Sequence, residues 1–388
     1  LRKSQNTYRL NDTFCSLTLG ILSRFPPMLN LGFTSLIYSL IIEHLGIDLL
    51  PTESWLTWLM TFLLYDLCYY WHHRLSHERT LLWASHVVHH QSEDYNLGTA
   101  LRQTGTSFLF SWIFYFPLFV IGVPVEVFIT VAAVNLVYQF WVHTEHIGSM
   151  GIFDRILVTP SNHRVHHARN KHYIDANYGG VFILWDRIFG TFVDEKAMMR
   201  PIYGTIRPLR SWNPVWANVE IYYQMFHDTW HTEKMMDKFR IWLSRTGWRP
   251  ADVERRFPVA ALTAQDSIKY DTVASAGYQV YTVFQFLIWM LLTFLSFSTI
   301  EQQSGFESVS LVAIILASTI ITSGHLESKE ISAWLEIIRS IVVLFLVLIV
   351  QIWHMDLFFV KVMWVHALIN LIIMPFFIVS RLDSFNTS

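Results

Sequence analysis

Apolar residues along the chain gather into long runs with polar stretches between them. Leu29 to Leu45, Trp55 to Trp71, Gly105 to Val123 and Val125 to Val142 form a first set. Pro51 breaks the chain between the first two, and Gly122 with Pro124 divides the last two. A polar stretch from Ile147 to Arg256 follows. After Ser267 come four more runs: Tyr278 to Phe297, Ser308 to Thr322, Ala333 to Trp353 and Asp356 to Val379. A hydrocarbon core of about 30 Å takes roughly 20 residues at 1.5 Å rise, so these runs are in the length class of membrane helices, the first at the short limit. The pattern predicts an all-α, polytopic integral membrane protein. Residues 1–267 carry the first four runs and the polar loop, with spans near 29–45, 55–71, 105–123 and 125–142 and a loop over 147–256; residues 268–388 form a C-terminal transmembrane region.

Composition agrees: of 388 residues 53% are hydrophobic, 16% aromatic and only 15% charged, which excludes an ordinary soluble chain. A formal net charge of −2 offers no footprint for nucleic acid. Cys15 and Cys68 stand alone, so neither a disulfide framework nor a zinc ribbon is available. The chain opens on Leu1 rather than Met, so further residues are expected before it. Charge also sets an orientation. The polar stretch holds 16 of the 28 Lys and Arg, and basic segments beside membrane runs mark the cytoplasmic side. With two hairpins in the first set, the ends of runs two and four and the basic loop all face the cytosol. Both chain ends then lie there too, and the sequons at Asn11 and Asn386 stay unmodified.

The candidate chemistry sits at the ends of these runs. His73 and His77 are four apart, one turn along a helix face. His86, His89 and His90 share a stripe at i, i+3, i+4, and the same spacing returns at His163, His166 and His167. Eight imidazoles exceed the four to six ligands of one first-row metal ion, whereas two adjacent ions would use them. Scattered core or surface histidines are the blander reading, but three clusters at helical ligand spacing argue against it. Imidazole suits Fe, Zn, Cu and Ni alike, which leaves the metal open. A metal-bound imidazole needs its second nitrogen bonded to a carboxylate, carbonyl or water. Asp66, Glu78, Glu93, Asp94, Glu145 and Asp175 crowd the clusters and are expected as such outer partners. His227 and His231 read as a pair on a solvated or membrane-surface helix, and His325, His354 and His366 as isolated structural residues.

The spacings H-x3-H, H-x2-HH and H-x2-HH beside membrane runs resemble the integral-membrane superfamily of fatty acid hydroxylases, sterol desaturases and alkane hydroxylases. The stretch TPSNHRVHHARNKHYIDANYGGVFILWDRIFGTF, with Asn170, Tyr173, Asp175, Asn177, Tyr178 and Gly179, is similar to that group's third box. YYWHHRLSHE, HVVHHQSEDYNLGTALRQ and YQFWVHTE narrow the resemblance to its tetrahydrobiopterin-dependent, ether-lipid-cleaving branch, the alkylglycerol monooxygenases, most strongly from about Leu63 to Phe192. The resemblance implies two irons per chain, held by His73, His77, His86, His89, His90, His163, His166 and His167 with His143 as a ninth ligand. It implies a catalytic set of Glu78, Glu145, Asp175 and Asn177, in which Glu78 and Glu145 also face the guanidine-like edge of tetrahydrobiopterin. Ether lipid, O2, membrane lipid and a pterin-regenerating system are the implied partners, and the endoplasmic reticulum membrane, with the site facing the cytosol, the implied location.

Some residues depart from the pattern. His72 makes a double histidine and leaves an H-x4-H register to His77 open, while His146 and His172 are extra histidines outside the ligand set. A fatty-acid or sterol hydroxylase or desaturase fed by cytochrome b5 would share every ligand and differ in electron donor and substrate pocket. A membrane metal transporter ranks lower, because ionisable residues within the first four runs are few, Asp66 being the main exception.

Overall fold

The computed structural model describes residues 7–28, 33–45, 48–259, 268–298, 305–349 and 357–386. In chain order its helices are α1 (Leu10–Leu22), α2 (Phe25–Met28), α3 (Phe33–Leu45), α4 (Trp55–Glu78), α5 (Thr80–Ala84) and α6 (Val87–His90). Then come α7 (Leu97–Leu101), α8 (Ser111–Val120), α9 (Val125–Trp141), α10 (Pro160–His166), α11 (Leu184–Phe189) and α12 (Pro214–His231). The last six are α13 (Met235–Leu243), α14 (Ala251–Arg256), α15 (Ala276–Ser298), α16 (Gly305–Leu326), α17 (Ile331–Ile349) and α18 (Leu357–Asn386). Among the described residues there is no strand, only isolated bridges at Arg79–Arg245, Leu157–Phe182 and Ala168–Tyr203. The protein is all-helical.

The chain divides into two compact units. One takes Leu1–Arg9, Gly32–Leu209 and Asn218–Lys269; the other takes Leu10–Leu31, Arg210–Ala217 and Tyr270–Ser388.

The first unit is built on α4, whose 24 residues reach about 36 Å at 1.5 Å per residue. Its N-terminal half is apolar and packs on α8 and α9, with Tyr65, Tyr115, Leu118, Phe119, Val127 and Val131 buried between them. Its C-terminal half turns polar and carries His73 and His77. One rod thus runs from an apolar zone to the histidines. Leu56 and Met60 on α4, and Ile129 and Val137 on α9, face outward, which lipid tolerates and water does not. The third run, expected over 105–123, is α-helical only over the ten residues of α8, about 15 Å and half of a bilayer core, with a short 3-10 turn at Ser107–Leu109 before it. Its polar start is drawn into contacts with α12 instead: Gly105 N donates to Asn218 Oδ1 (2.8 Å) and Thr106 Oγ1 accepts from Tyr222 (3.0 Å).

Among the described residues, the second unit holds three helices long and apolar enough to cross a membrane, over Ala276–Ser298, Gly305–Leu326 and Phe358–Val379. The protein is a multi-pass membrane protein. α1 packs on α15 and α16, and Leu22, Phe25, Leu292, Leu311, Ile315, Val343 and Met363 share one core. One set of buried polar side chains there is mutually hydrogen-bonded. His366 Nε2 lies 2.8 Å from Gln285 Oε1, and Gln285 and Tyr281 both donate to Asn370 Oδ1. Parts of the first, seventh and eighth apolar runs, at 29–32, 350–353 and 356, and His354 fall outside the described residues.

Candidate metal centre

Local sequence places each histidine. On α4, His73 and His77 lie one turn apart on a buried face. His86 is the residue before α6, a single turn that carries His89 and His90. α10 starts abruptly, with Pro160 in its first turn and a reciprocal Thr159–Asn162 cap, so that His163, His166 and the C-terminal His167 follow within two turns. His143 comes two residues after α9 ends at Trp141.

These nine histidines assemble into two groups. His73, His77, His86, His90 and His166 form one, and His89, His143, His163 and His167 the other, with one ring nitrogen from each residue lying within 4.8 Å of the rest of its group. Each H-x2-HH box gives its i, i+4 pair to one group and its remaining histidine to the other. The groups touch: the rings of His90 and His167 stack at 4.4 Å. His72 lies outside both, against Phe114, so the H-x3-H register is the one that converges.

Hydrogen bonding decides what the groups can hold. His89 Nδ1 lies 3.0 Å from the carbonyl of Arg102, and His143 Nδ1 2.8 Å from that of Gln139. A carbonyl only accepts, so both Nδ1 atoms carry the proton and both Nε2 atoms present bare lone pairs. Those two Nε2 atoms face each other at 3.2 Å. That contact is repulsive by itself and becomes coordination with a cation between the rings. His77 Nε2 and His166 Nε2 are buried without a hydrogen-bond partner. A cation with nitrogen ligands at about 2.0–2.1 Å sets neighbouring nitrogens about 3 Å apart, and the spacings His73–His86, His86–His90 and His163–His167 are each 3.1 Å between Nε2 atoms. Burial pushes the His89 imidazole down to about 4 and His166 to about 3, which keeps both rings neutral and free to ligate. The donor set fits metal.

Backbone carbonyls orient the rings. His73 Nδ1 bonds to the carbonyl of Tyr178 (2.8 Å) and His166 Nδ1 to that of Ala176 (3.0 Å). The residue between them, Asn177, is buried at φ 58°, a left-handed conformation that asparagine tolerates. Its Nδ2 donates to the carbonyls of Asn162 (3.1 Å) and Val193 (2.8 Å), and its Oδ1 accepts from Val193 N (2.9 Å). Two buried carboxylates hold the turn that follows. Asp186 accepts from the amides of Tyr178 (2.7 Å) and Gly179 (2.8 Å), and Asp66 from those of Val181 (2.9 Å) and Phe182 (3.0 Å). A Cβ on Gly180 would stand 2.7 Å from Asp66 Oδ1, which is why the chain is bare there.

The other acids are placed differently. Glu78 is half-buried and ion-paired with Arg74 at 2.8 Å. Asp175 is exposed at φ 60°. Asp94 is buried between Arg9 (2.8 Å) and Lys269 (2.6 Å). Glu145 and Glu93 line a polar cavity of about 860 Å³ with His146, Glu195, Lys196 and Tyr203. Tyr203 stacks on Tyr95 at 4.8 Å, and Tyr95 in turn lies against His143 and His167. His172 is exposed. Sequence reasoning passed over Tyr95, Asp186 and the buried Arg164–Glu195 pair (2.6 Å), whose arginine also bonds the carbonyl of Thr144 beside His143. For Asp186 the one available signal was an acid, next to Arg187, within the mostly apolar stretch ILWDRIF.

Residues 58–191, which contain all nine histidines, match the family model described as fatty acid hydroxylase. An alkylglycerol monooxygenase of Xenopus tropicalis is 40% identical over 72% of this chain and 62% of its own length. Those of Homo sapiens and Danio rerio are each 36% identical over 87% of this chain, covering 76% and 75% of their own lengths. No solved structure matches the chain. Ligand-spaced histidines in two touching groups, and a likeness running through most of the sequence, place this chain in the alkylglycerol monooxygenase family, within the fatty acid hydroxylases.

Proposed function

We propose that this protein is a membrane monooxygenase that cleaves the O-alkyl bond of glyceryl ethers, both alkylglycerols and lyso-ether lipids. The reaction consumes O2 and tetrahydrobiopterin and hydroxylates the carbon beside the ether oxygen. The resulting hemiacetal collapses to a fatty aldehyde and the free glycerol derivative. The adjacent pair of imidazole groups carries the reading, on a chain whose relatives are named for this activity. The nine histidines are the proposed ligands of two irons. When bound, the metals and the reduced pterin would supply the oxygen activation and the two electrons that the hydroxylation consumes. The endoplasmic reticulum membrane, with the site toward the cytosol, is the proposed setting, where a pterin-regenerating system has access.

The chain's own residues have definite tasks in this scheme. Tyr178, Ala176, Arg102 and Gln139 fix four ring orientations through their carbonyls, so no side chain has to move to present a lone pair. Asn177 positions two of those carbonyls. Burial of seven of the nine histidines would keep water away from the reacting carbon. Glu78, one residue beyond His77, and Glu145, in the polar cavity, are the proposed hydrogen-bond partners of the pterin. Their replacement by Gln should raise the KM for pterin more than that for lipid.

The test uses an alkylglycerol carrying two deuteriums on the ether carbon. The aldehyde should keep one of them, since one C–H bond breaks and the other survives, and reduced pterin should sustain turnover without cytochrome b5. A product hydroxylated elsewhere with its ether intact, or turnover that requires cytochrome b5, would move the protein to the fatty-acid or sterol hydroxylases.

A further inference from the structure

α12 and α13 each bury one apolar face and expose another. Met225 on α12 and Ile241 on α13 pack with Ala84 of α5, and Ile221, Tyr222 and Trp242 border that core. On the opposite side of α12, Val219, Tyr223, Phe226 and Trp230 recur at intervals of four, three and four, one narrow stripe at 100° per residue, and all four are exposed. On α13 the exposed set is Met235, Met236, Phe239 and Leu243, again one face. Trp230 is 83% exposed and Phe239 67%. Eight large apolar side chains in 25 residues is far more than the scattered exposure of a water-facing surface.

The charges flanking the stripe name its occupant. The same periodicity puts Lys238 beside one edge of the α13 stripe and Arg240 beside the other. Residues 233–256 carry seven Lys and Arg against four acids. An apolar face rimmed by cations, with a tryptophan at its end, suits the boundary between acyl chains and anionic headgroups. The chain already crosses a bilayer through its other helices.

We infer that α12 and α13 lie in the plane of the membrane interface, their exposed stripes among the lipids and their basic flanks on anionic headgroups. The placement bears on the histidines. Thr246, just past α13, donates its amide to the carbonyl of Glu78 (3.2 Å), and Thr80 N donates to Ser244 O (3.1 Å). A helix floating at fixed depth is thereby tied to the residues that follow His77, and the five-histidine group sits at a set height above the acyl chains.

Nitroxide accessibility in the full chain tests this without reference to activity. Phe239→Cys and Trp230→Cys, with Glu254→Cys on α14 as the control, would be labelled in a Cys68→Ala background, Cys15 being buried. The samples are nanodiscs of phosphatidylcholine with and without phosphatidylserine. The expected result is an O2-to-nickel accessibility ratio several-fold higher at 239 and 230 than at 254, rising further with phosphatidylserine. Equal ratios at all three sites would mean that the stripe faces water and would overturn the inference. Spin–spin broadening between chains at 239 would overturn it in favour of a second copy as the occupant.

Discussion

Asn177 shows how much of a site can rest on a residue that touches no reacting atom. Its three side-chain bonds hold the main chain so that the carbonyls on either side of it reach His166 and His73. Replacing such an outer partner usually lowers metal affinity roughly 10–100-fold. Asn177→Ala should therefore lose metal to a chelator that leaves the unaltered protein loaded, as read by elemental analysis. An unchanged metal content would refute the positioning role. His227→Ala, by contrast, should retain its metal and most of its activity, since His227 stands beside Asp228 and Phe257, outside both groups. The histidines were legible because helical spacing alone puts i and i+4 on one face. The work of Asn177 was not, because its bonds reach 15 residues back to α10 and 16 residues on to Val193, from a segment with no periodicity. Asn11 has partners that its sequon does not announce: its Nδ2 donates to Asp271 Oδ1 (2.9 Å) and to Thr272 O (2.9 Å), bonds that a glycan on that nitrogen would displace.

Among the elements, α12 is joined to the segment between α13 and α14 by one part-buried ion pair. Arg249 meets Asp228 with two nitrogens, at 2.6 and 2.8 Å, and donates a third bond to Phe257 O. Removing the arginine strands a buried carboxylate, which typically costs about 3–5 kcal/mol. Arg249→Met should lower the unfolding free energy by that order, measured by denaturant titration in detergent. Burial alone would raise the Asp228 pKa, but hydrogen bonds from Arg249 and His227 hold it below its ordinary 3.8. The folded-state value is depressed, so this stabilisation is full above about pH 3.8 and is lost as pH falls below it. Arg249→Met should flatten the stability–pH curve in that acid range, and a curve parallel to the parent's would count against the pair. Hydropathy located the apolar runs well but not their helical extent. In the third run, glycine and threonine at its start take side-chain partners from α12, which no local pattern announces.

At the scale of the molecule, the two histidine groups draw on α4, α6, α10 and the segment after α9, so binding of the proposed metals would be linked to folding. A ligand that binds only the folded state at 100 times its Kd adds about 2.7 kcal/mol. Chelation should therefore lower the melting temperature of the detergent-solubilised protein, re-addition of metal should restore it, and His90→Ala or His167→Ala should shrink the difference. Equal melting with and without metal would contradict the linkage. The facing lone pairs of His89 and His143 carry this reasoning beyond the test tube. A newly made chain that reaches the membrane before metal arrives would have like dipoles pressed together at this site and would spend more time open to the cell's proteases. Enzyme abundance would then follow metal supply at constant rates of synthesis, and a cell short of metal would turn the chain over rather than store it for later activation.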